Sequence, residues 1–470
     1  MKSKLIKFFK SFFILTGFLA IFSLLVIMFF GETSKQRRDI LIGTVSSFIG
    51  VGEKYETFIA NSPKKYFKIF YYNIKNKFIE YPYYSLNIDI SSSNLNKLSQ
   101  LRENKVNKKI SKFENVSAKI EILNEKKNSE KEIVRVRIRP KGDREIHFLN
   151  LDTMSYKIDV RKDENLIFGM EEMSLQRPII RNYSWEILYH DLLKLENVLA
   201  LDIIPVKLSR NNEYLGIFVL EEGFGKELLE KQLRRNGPIY GIDENLNHGF
   251  PGLKYEVYSA NFWLKNENEI YFNSQKNLNY VKQNYNKKDF NLSKYFDLDK
   301  WAKFFAITDV LRMYHGAVSK SVKIYYNPQT ELFEPVAFDG HHGSGYLNFS
   351  FTDFIYDPNI DCGFLCTHKD WLSVFFDKKN KDFLNKFMKY LKLYTSKDYE
   401  DKISNILDEK INLINSFFYS EYHSSDRVFF KGMLPYYFDI EPIFERNIIL
   451  KKKIDFTEKY LEGYYSQNQL

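Results

Sequence analysis

Apolar and polar residues alternate along several short segments in the first half of the chain, most clearly over residues 85–90, 134–138 and 155–160. A period of two is typical of half-buried β-strands. After residue 370 the pattern becomes helical and rich in aromatic residues. Strands first and helices last, without internal repeats, predict an α+β body.

Turn and capping residues extend this outline. Ser91 precedes a polar helix over 91–104, and Asn182 is expected to cap a helix that continues to Leu195. Either Asp297 or Asp299 caps an amphipathic helix later in the chain. Four further elements are predicted: a hairpin over 203–220, a charged helix near 226–235, a strand pair over 322–338, and an Asn- and Lys-rich insertion of poor periodicity over about 245–295.

Residues 12–30 form a run of 19 residues without a charge. Such a run is long enough to cross a bilayer as a helix, and no small-residue cleavage site follows it. The expectation is an uncleaved, single-pass anchor in the cell (inner) membrane, between a basic tail (1–11) and a stalk (31–84). Four lysines precede the run and three basic residues follow it. This slight excess favours a body outside the cytoplasm.

The composition supports a large folded body. The chain has 470 residues, of which 44% are hydrophobic and 17% aromatic, and its formal net charge is +9. This mild positive excess is compatible with a membrane surface or a phosphorylated ligand. The chain lacks the motifs of a nucleic-acid-binding protein, so no nucleic-acid partner is expected.

The only two cysteines, Cys362 and Cys366, are four positions apart. In an oxidising compartment they permit a small disulfide loop, and otherwise they are ordinary thiols. A metal site here would need more nearby ligands than His368 alone.

A cationic turn follows the strand at 134–138 and contains Arg139, Lys141, Gly142 and Arg144. A glycine lets backbone amides approach a phosphate closely, and Lys157 on the next strand is placed to neutralise it. The alternative is an ordinary β-turn with surface cations.

Two acidic residues suggest further chemistry. Glu186 lies on the helix after Asn182, where a glutamate can hold a phosphate-binding lysine in place, although a solvated helix charge is the simpler interpretation. Asp339 ends a buried apolar strand and enters the turn Asp-Gly-His-His-Gly. This is a suitable position for a metal-binding carboxylate, with an Asx-turn as the alternative. A zinc site of His315, Asp339, His341 and His342 is a further possibility.

These residues lie within strings that resemble the CotH kinase family (spore coat protein H-like atypical kinases). The strings are RIRPKGDREIHF, SYKIDV, IFGMEEMSLQRPIIRNYSWEILYHDLL, NNEYLGIFVLEEGFGKELLEKQLRRNGPIYG and KIYYNPQTELFEPVAFDG. The resemblance runs from about residue 84 to 345. It implies an atypical kinase-like two-lobed body over 85–470, with a β-rich N-lobe (about 85–240) and a helical C-lobe (about 296–470).

The resemblance also implies metal-dependent phosphate transfer from ATP, with Mg²⁺ or Mn²⁺, to an unknown protein or glycan acceptor of the cell envelope or surface. By this likeness Lys157 resembles the nucleotide-phosphate lysine and Asp339 the metal-binding aspartate. The candidate cofactor-binding residues are Lys141, Arg144, Lys157, Glu186 and Glu222.

One segment departs from the family pattern. Family kinases place a catalytic Asp about two dozen residues before the metal Asp, with an Asn a few residues later. Here those positions fall near His315 or Gly316, and near Ser321. His315 is a candidate substitute base, because its unperturbed pKa lies near neutrality. The alternative function is a catalytically inactive pseudokinase that acts as a binding or scaffolding module in cell-envelope assembly.

Overall fold

The structure is a computed structural model that describes residues 84–107, 114–124, 131–142, 145–148, 150–242, 255–342, 348–357, 360, 365, 369–419 and 441–467. One compact unit comprises Pro82–Asn412 and Phe438–Leu470, and it carries the fold described below. Of the second unit, Met1–Tyr81 with Leu413–Tyr437, the structure describes only residues 413–419. The expected membrane span, Cys362 and Cys366 lie outside the described residues. Among the helices that are described, none combines the length and the apolar character needed to cross a membrane.

Seven strands close into a barrel in the order β1-β2-β3-β4-β5-β8-β7. Closure comes from β1, which pairs antiparallel with β2 and parallel with β7. The strands are β1 (Tyr84–Asp89), β2 (Val116–Asn124), β3 (Glu132–Pro140), β4 (Tyr156–Val160), β5 (Glu172–Gln176), β7 (Ile203–Arg210) and β8 (Glu213–Glu222).

The barrel core follows directly from the alternating pattern. Strand β3 buries Val134, Val136 and Ile138, while Arg135 and Arg137 between them are exposed. This is the expected result of a period-two side-chain pattern on a half-buried strand. The hydrophobic effect of the inward row stabilises the barrel, and the outward row is left to make polar contacts.

A second, five-stranded sheet has the order β10-β9-β11-β12-β6, and β12 pairs parallel with β6. Its strands are β6 (Leu199–Ala200), β9 (Ile239–Ile242), β10 (Tyr255–Val257), β11 (Lys323–Asn327) and β12 (Leu332–Ala337). Strands β11 and β12 are buried almost throughout. The segment that leaves β12 therefore emerges from the core at a fixed position.

Helices make up most of the remainder. They are α1 (Ser92–Val106), α2 (Ser184–Leu195), α3 (Lys226–Lys231), α4 (Ala260–Asn266), α5 (Asn268–Asn284), α6 (Leu298–Val310), α7 (Thr352–Tyr356), α8 (Lys369–Phe376), α9 (Lys381–Tyr394), α10 (Lys397–Ile406), α11 (Asn412–Tyr419) and α12 (Glu441–Gln467). Helix α6 is almost fully buried, and Trp301, Phe305 and Phe375 pack their rings together between α6 and α8.

A buried ion pair ties the end of α6 to α12. The Asp309 carboxylate accepts a hydrogen bond from Arg446 Nη2 at 2.7 Å, and a second one from Ser350 Oγ at 2.6 Å. Tyr314 also donates to Asp309. Removing one partner of such a pair typically costs about 3–5 kcal/mol, because the other charge stays buried. Asp309 therefore stabilises the fold through this buried pair.

The structure confirms the α+β class, and it corrects one local expectation and adds detail to another. Asn182 does not cap α2, because it adopts a left-handed conformation (φ 50°) at the end of a short 3₁₀ turn, and α2 begins at Ser184. The segment interpreted as an insertion of poor periodicity contains two helices, α4 and α5, which the sequence pattern did not reveal. Helix α5 buries Tyr271, Leu278 and Val281, and tertiary packing on these side chains outweighs the low helix propensity of its asparagines.

Candidate functional site

The turn after β12 is unusually tight. Asp339 and His341 both have left-handed backbones, with φ of 56° and 49°. Between them, a Cβ on Gly340 would lie 2.6 Å from Met313 Cε and about 3 Å from the Tyr189 ring, so only glycine fits without a shift. Residues held in sparsely populated conformations persist where the surroundings determine them, and such positions cluster at functional sites.

Glu186 on α2 is the residue that holds this turn. Its Oε1 accepts the N–H of Gly340 at 2.8 Å, and its Oε2 accepts the N–H of His341 at 3.3 Å. His190 Nδ1 accepts a hydrogen bond from the N–H of Leu201, so its Nε2 carries the proton that faces Glu186 Oε1 at 3.3 Å. A buried carboxylate with these donors fixes the backbone from which Asp339 and His341 project.

The Asp339 carboxylate is surrounded by three cationic or ionisable groups. Arg181 Nη1 lies 2.6 Å from its Oδ1, His341 Nε2 lies 3.0 Å from the same oxygen, and His315 Nδ1 lies 3.3 Å from Oδ2. Burial alone would raise the pKa of Asp339, but the Arg181 guanidinium together with His341 and His315 outweighs burial and holds that pKa well below its usual range. The carboxylate is therefore charged and available to a cation at neutral pH.

The two imidazoles respond differently to this environment. Burial lowers the pKa of His315, although the Asp339 charge partly compensates. Burial also opposes charge on His341, but there the Asp339 carboxylate prevails and raises the pKa. A neutral imidazole with a lone pair is the form that accepts a proton or binds a metal, and His315 favours that form.

The structure also shows which residue of the divergent segment faces Asp339. His315 Nδ1 lies 2.8 Å from the backbone carbonyl oxygen of Asp339 and 3.2 Å from Ser321 Oγ. A Cβ on Gly316 would lie 3.1 Å from the Cα of Gly340 and 3.2 Å from the Phe338 carbonyl oxygen, which is tighter than an ordinary contact. His315, one of the two positions where the resemblance leads one to expect the catalytic Asp, thus faces Asp339, with Ser321 beside it.

Three side chains form a group with metal-binding potential. His315, Asp339 and His341 each offer one ligand atom, and these atoms all lie within 4.8 Å of one another. His342 does not join them, because it stacks on Trp185 with ring centroids 3.4 Å apart, and its Nδ1 contacts a backbone carbonyl oxygen. The four-residue zinc site considered from the sequence is thus reduced to three ligands, which fit a divalent cation.

A row of cationic side chains, Lys141, Lys157 and Arg181, borders the group of His315, Asp339 and His341 on the side of the barrel. Lys141 Nζ lies 2.9 Å from Glu221 Oε1, and the Arg181 guanidinium makes two contacts with the same carboxylate. Lys157 is in register with Ser174, which is itself in register with Glu221. Because laterally paired residues share one face of a sheet, Lys157 lies on the same face as Glu221.

Burial and neighbouring charges shift the pKa values of Glu221 and Lys141 in opposite directions. Burial would raise the pKa of Glu221, but Arg181 and then Lys141 outweigh it and lower the pKa to about 2. For Lys141 burial dominates, and it lowers the pKa of the amine to about 8 despite the neighbouring Glu221. Near neutral pH the row is cationic, and Lys141 is close to its titration range.

The structure places the other sequence candidates in different surroundings. Lys157 pairs with Glu172 at 2.6 Å rather than with Glu186, which accepts the backbone N–H of Gly340 instead. Glu222 forms an ion pair with Lys231 at 2.6 Å, on the opposite side of β8 from Glu221. The expected Lys157–Glu186 partnership is therefore wrong, since each residue has another partner.

Sequence reasoning missed Arg181 and Glu221, which join the cationic row to Asp339. The strand alternation on β8 did contain a signal, because adjacent Glu221 and Glu222 must face opposite sides. No local pattern marked Arg181, whose partners are 40 and 158 residues away. Arg144 lies outside the described residues.

A cleft of about 350 Å³ adjoins the site. Phe224, one of its lining residues, packs its ring at 5.3 Å from that of Phe338, the residue before Asp339. The lining of the cleft combines aromatic side chains with charged ones: Phe224, Tyr258, Phe262 and Trp263 with Lys162, Glu171, Glu172, Glu222, Lys226 and Glu227. Small-molecule sites commonly combine aromatic surface with polar groups.

The sequence profile of the CotH kinase protein family matches residues 138–422, which is more than half of the chain. The chain belongs to the CotH kinase family. The match includes the barrel strands with Lys157 and Glu221, helix α2 with Glu186, and the turn at Asp339. No curated protein is similar enough to the chain to count as a match.

The role of Glu186 can be tested by Glu186→Ala. The substitution leaves the N–H groups of Gly340 and His341 without their acceptor, and each unsatisfied buried donor costs about 1–3 kcal/mol. We expect a lower melting temperature and faster hydrogen exchange at these two amides.

The matched control is Asp191→Ala on the same helix, which removes a partly exposed pair with Lys410. Such a pair contributes about 0–1 kcal/mol, so amide exchange at the turn should not change. Unchanged exchange at both amides in Glu186→Ala would show that the turn is held by other contacts.

Proposed function

We propose that this CotH family member binds a nucleoside triphosphate with a divalent cation and transfers phosphate to an acceptor, as a kinase-like phosphotransferase with two lobes. The observation that carries the proposal is the position of Arg181. Its guanidinium contacts Asp339 on one side and Glu221 on the other, and Glu221 also binds Lys141. A metal-binding carboxylate and a cationic row therefore meet within one cluster.

The proposal assigns a role to each part of the site. When bound, the cation would offset the charge of the phosphates and hold them at Asp339. Lys141, Lys157 and Arg181 would neutralise the remaining phosphate oxygens, and the adjoining aromatic cleft would accept the base. Catalysis of phosphoryl transfer depends mainly on positioning the phosphates and offsetting their charge. The site contains the types of side chain that these two tasks need. ATP with Mg²⁺ or Mn²⁺ is the expected cofactor pair.

In the transfer step, the acceptor hydroxyl oxygen bonds to the γ-phosphorus as the bond from that phosphorus to the bridging oxygen breaks. The nucleoside diphosphate leaves, and the hydroxyl proton passes to a base. His315 is the candidate for this role, since burial keeps its imidazole neutral beside Asp339.

A second candidate function is a binding module without catalysis. It is favoured by the imidazole at the position where the family has a carboxylate, and by the direct contact of Arg181 with Asp339 at 2.6 Å. A tethered scaffold in cell-envelope assembly would need the nucleotide only to order the fold. Phosphate transfer from labelled ATP to the chain itself or to a generic protein separates the two functions.

The metal role of Asp339 predicts the behaviour of Asp339→Asn. Asparagine tolerates a left-handed backbone, so the fold should be retained while the charge is lost. ATP with Mn²⁺ or Mg²⁺ should raise the melting temperature of the natural chain, with about 2.7 kcal/mol of stabilisation at a hundredfold excess over Kd. In the variant, the metal-dependent part of this shift should disappear.

Asp163→Asn is the control, because Asp163 is an exposed partner of Arg135 on the barrel surface. It should bind the nucleotide as the natural chain does. If Asp339→Asn bound nucleotide with an unaltered metal dependence, the assignment of Asp339 would be wrong.

The lowered pKa of Lys141, about 8, predicts a pH dependence of phosphate binding. Bound phosphate favours the protonated amine, so the complex holds more protons than the free protein, and affinity falls as pH rises above about 8. The loss should reach up to about tenfold by pH 9, since one pKa unit corresponds to about 1.4 kcal/mol. Competition of pyrophosphate with a fluorescent nucleotide analogue measures it.

Lys141→Arg is the matched variant, since arginine keeps its charge over this range. Its affinity should stay constant between about pH 7 and pH 9. An identical decline in the variant would show that a different group titrates.

We further propose that residues 12–30 anchor the chain in the membrane and that the body lies outside the cytoplasm. The uncharged run of 19 residues and the slight excess of preceding lysines support this topology. In that location Cys362 and Cys366 would meet oxidising conditions that permit their pairing.

A reporter that is active only in the periplasm, fused after Leu470, tests the topology. It should be active, whereas a reporter that needs the cytoplasm should be silent. The reverse pair of results would place the body in the cytoplasm, where ATP is available.

A further inference from the structure

The three ligands beside Arg181 are chemically unlike an oxygen-rich magnesium site. Mg²⁺ prefers oxygen ligands in octahedral geometry, usually carboxylates and water. The group here offers two imidazoles and one carboxylate, from His315, His341 and Asp339. Imidazole nitrogen suits Zn²⁺, Co²⁺, Fe²⁺ and related ions, and two histidines with one carboxylate are a recurrent ligand set of open transition-metal sites.

We propose that His315, Asp339 and His341 form a transition-metal centre that binds Zn²⁺ or Co²⁺ more tightly than Mn²⁺, and Mn²⁺ much more tightly than Mg²⁺. This inference deepens the proposed function, and it rests on that function only because both assign Asp339 as a metal ligand. In this centre His315 is a metal ligand and not a base, because the one lone pair of a neutral imidazole cannot bind a metal and accept a proton at the same time.

Hydrogen bonds around the ligands support this assignment. Metal-binding histidines almost always donate their second ring N–H to a carbonyl or carboxylate, which fixes the tautomer. His315 Nδ1 lies 2.8 Å from the backbone carbonyl oxygen of Asp339, which can accept but not donate. The proton is therefore on Nδ1, and the lone pair on Nε2 is the one that this ring can present to a metal.

The backbone also prepares the other two ligands. Asp339 and His341 project from a turn whose amides are held by the buried Glu186 carboxylate. The rings of His315 and His341 stand nearly perpendicular, at 83°, with centroids 4.9 Å apart. The two imidazoles thus lie against one carboxylate, with His341 Nε2 3.0 Å from Asp339 Oδ1 and His315 Nδ1 3.3 Å from Oδ2.

Glu186 is not a member of the group of ligand atoms, and both of its oxygens already accept backbone N–H groups. Within the described residues, the group around Asp339 thus supplies one carboxylate for two imidazoles. Affinity of a nitrogen-rich site rises from Mn²⁺ through Co²⁺, and Zn²⁺ also binds more tightly than Mn²⁺. The order of affinities is the property that distinguishes this centre from a magnesium site.

The test uses the full chain, purified without a histidine tag, stripped with a chelator and assayed without nucleotide. Titration with Zn²⁺, Co²⁺, Mn²⁺ and Mg²⁺ by calorimetry should give one bound ion per chain and the stated order of affinities. The visible absorption of bound Co²⁺ should report imidazole ligation. Equal affinity for Mg²⁺ and Zn²⁺, or no bound Zn²⁺, would overturn the proposal.

Three matched substitutions locate the ion. His341→Asn keeps a residue that tolerates the left-handed backbone, and His315→Asn keeps a donor near the Asp339 carbonyl oxygen. Each should weaken Zn²⁺ binding by more than about 100-fold, beyond the 10–100-fold typical of outer-shell changes. His342→Asn is the control, because His342 stacks on Trp185 outside the group, and it should retain the affinity.

Unchanged Zn²⁺ affinity in both His315→Asn and His341→Asn would overturn the proposal even if the ion binds elsewhere. The outcome is separate from that of the proposed function. Nucleotide binding that requires Asp339 and Mg²⁺, without selective Zn²⁺ binding, would leave the phosphotransferase standing and remove this centre. Selective Zn²⁺ binding without any nucleotide binding would support this centre and remove the phosphotransferase proposal.

Discussion

A single guanidinium connects the two sheets of this protein. Arg181 lies between the carboxylates of Glu221 at the end of a barrel strand and Asp339 at the end of a strand in the second sheet. Arg181 and Glu221 are buried and Asp339 is largely buried, so the guanidinium and the two carboxylates stabilise one another in a place where an unpaired charge is costly. Ion pairs through Arg181 thus fix the position of the turn at Asp339 relative to the barrel. The Phe338 ring also packs against this guanidinium, with its centroid 4.9 Å from Arg181 Cζ.

This coupling explains why the sequence predicted the elements better than the site. Alternation along β3 and β4, and the caps Ser91 and Asp297, are local signals that survive in the structure because each acts within a few residues. The contacts of Arg181 and Glu186 span about 40 to 158 positions, so no local pattern could reveal them. Asn182 misled for the same reason, because its amide donates to the distant carbonyl oxygen of His342 at 3.2 Å.

The resemblance to a family located Asp339 and the divergent segment, yet it could not show how the departures fit together. In the structure the imidazole of His315 faces Asp339, and the hydroxyl of Ser321 lies beside it. His315 and Ser321, where the sequence departs from the pattern that the resemblance implies, therefore contact each other, and His315 also contacts the Asp339 carboxylate.

The closure of the barrel by β1 has a mechanical consequence. Tyr84 begins a strand with hydrogen-bonded neighbours on both sides, antiparallel β2 and parallel β7. A pull on the chain ahead of Tyr84 is therefore resisted by two ladders at once, and the load spreads around the barrel wall instead of peeling away an edge strand. Tension that enters the domain at this point reaches β8, and hence Glu221 and Arg181, through β7.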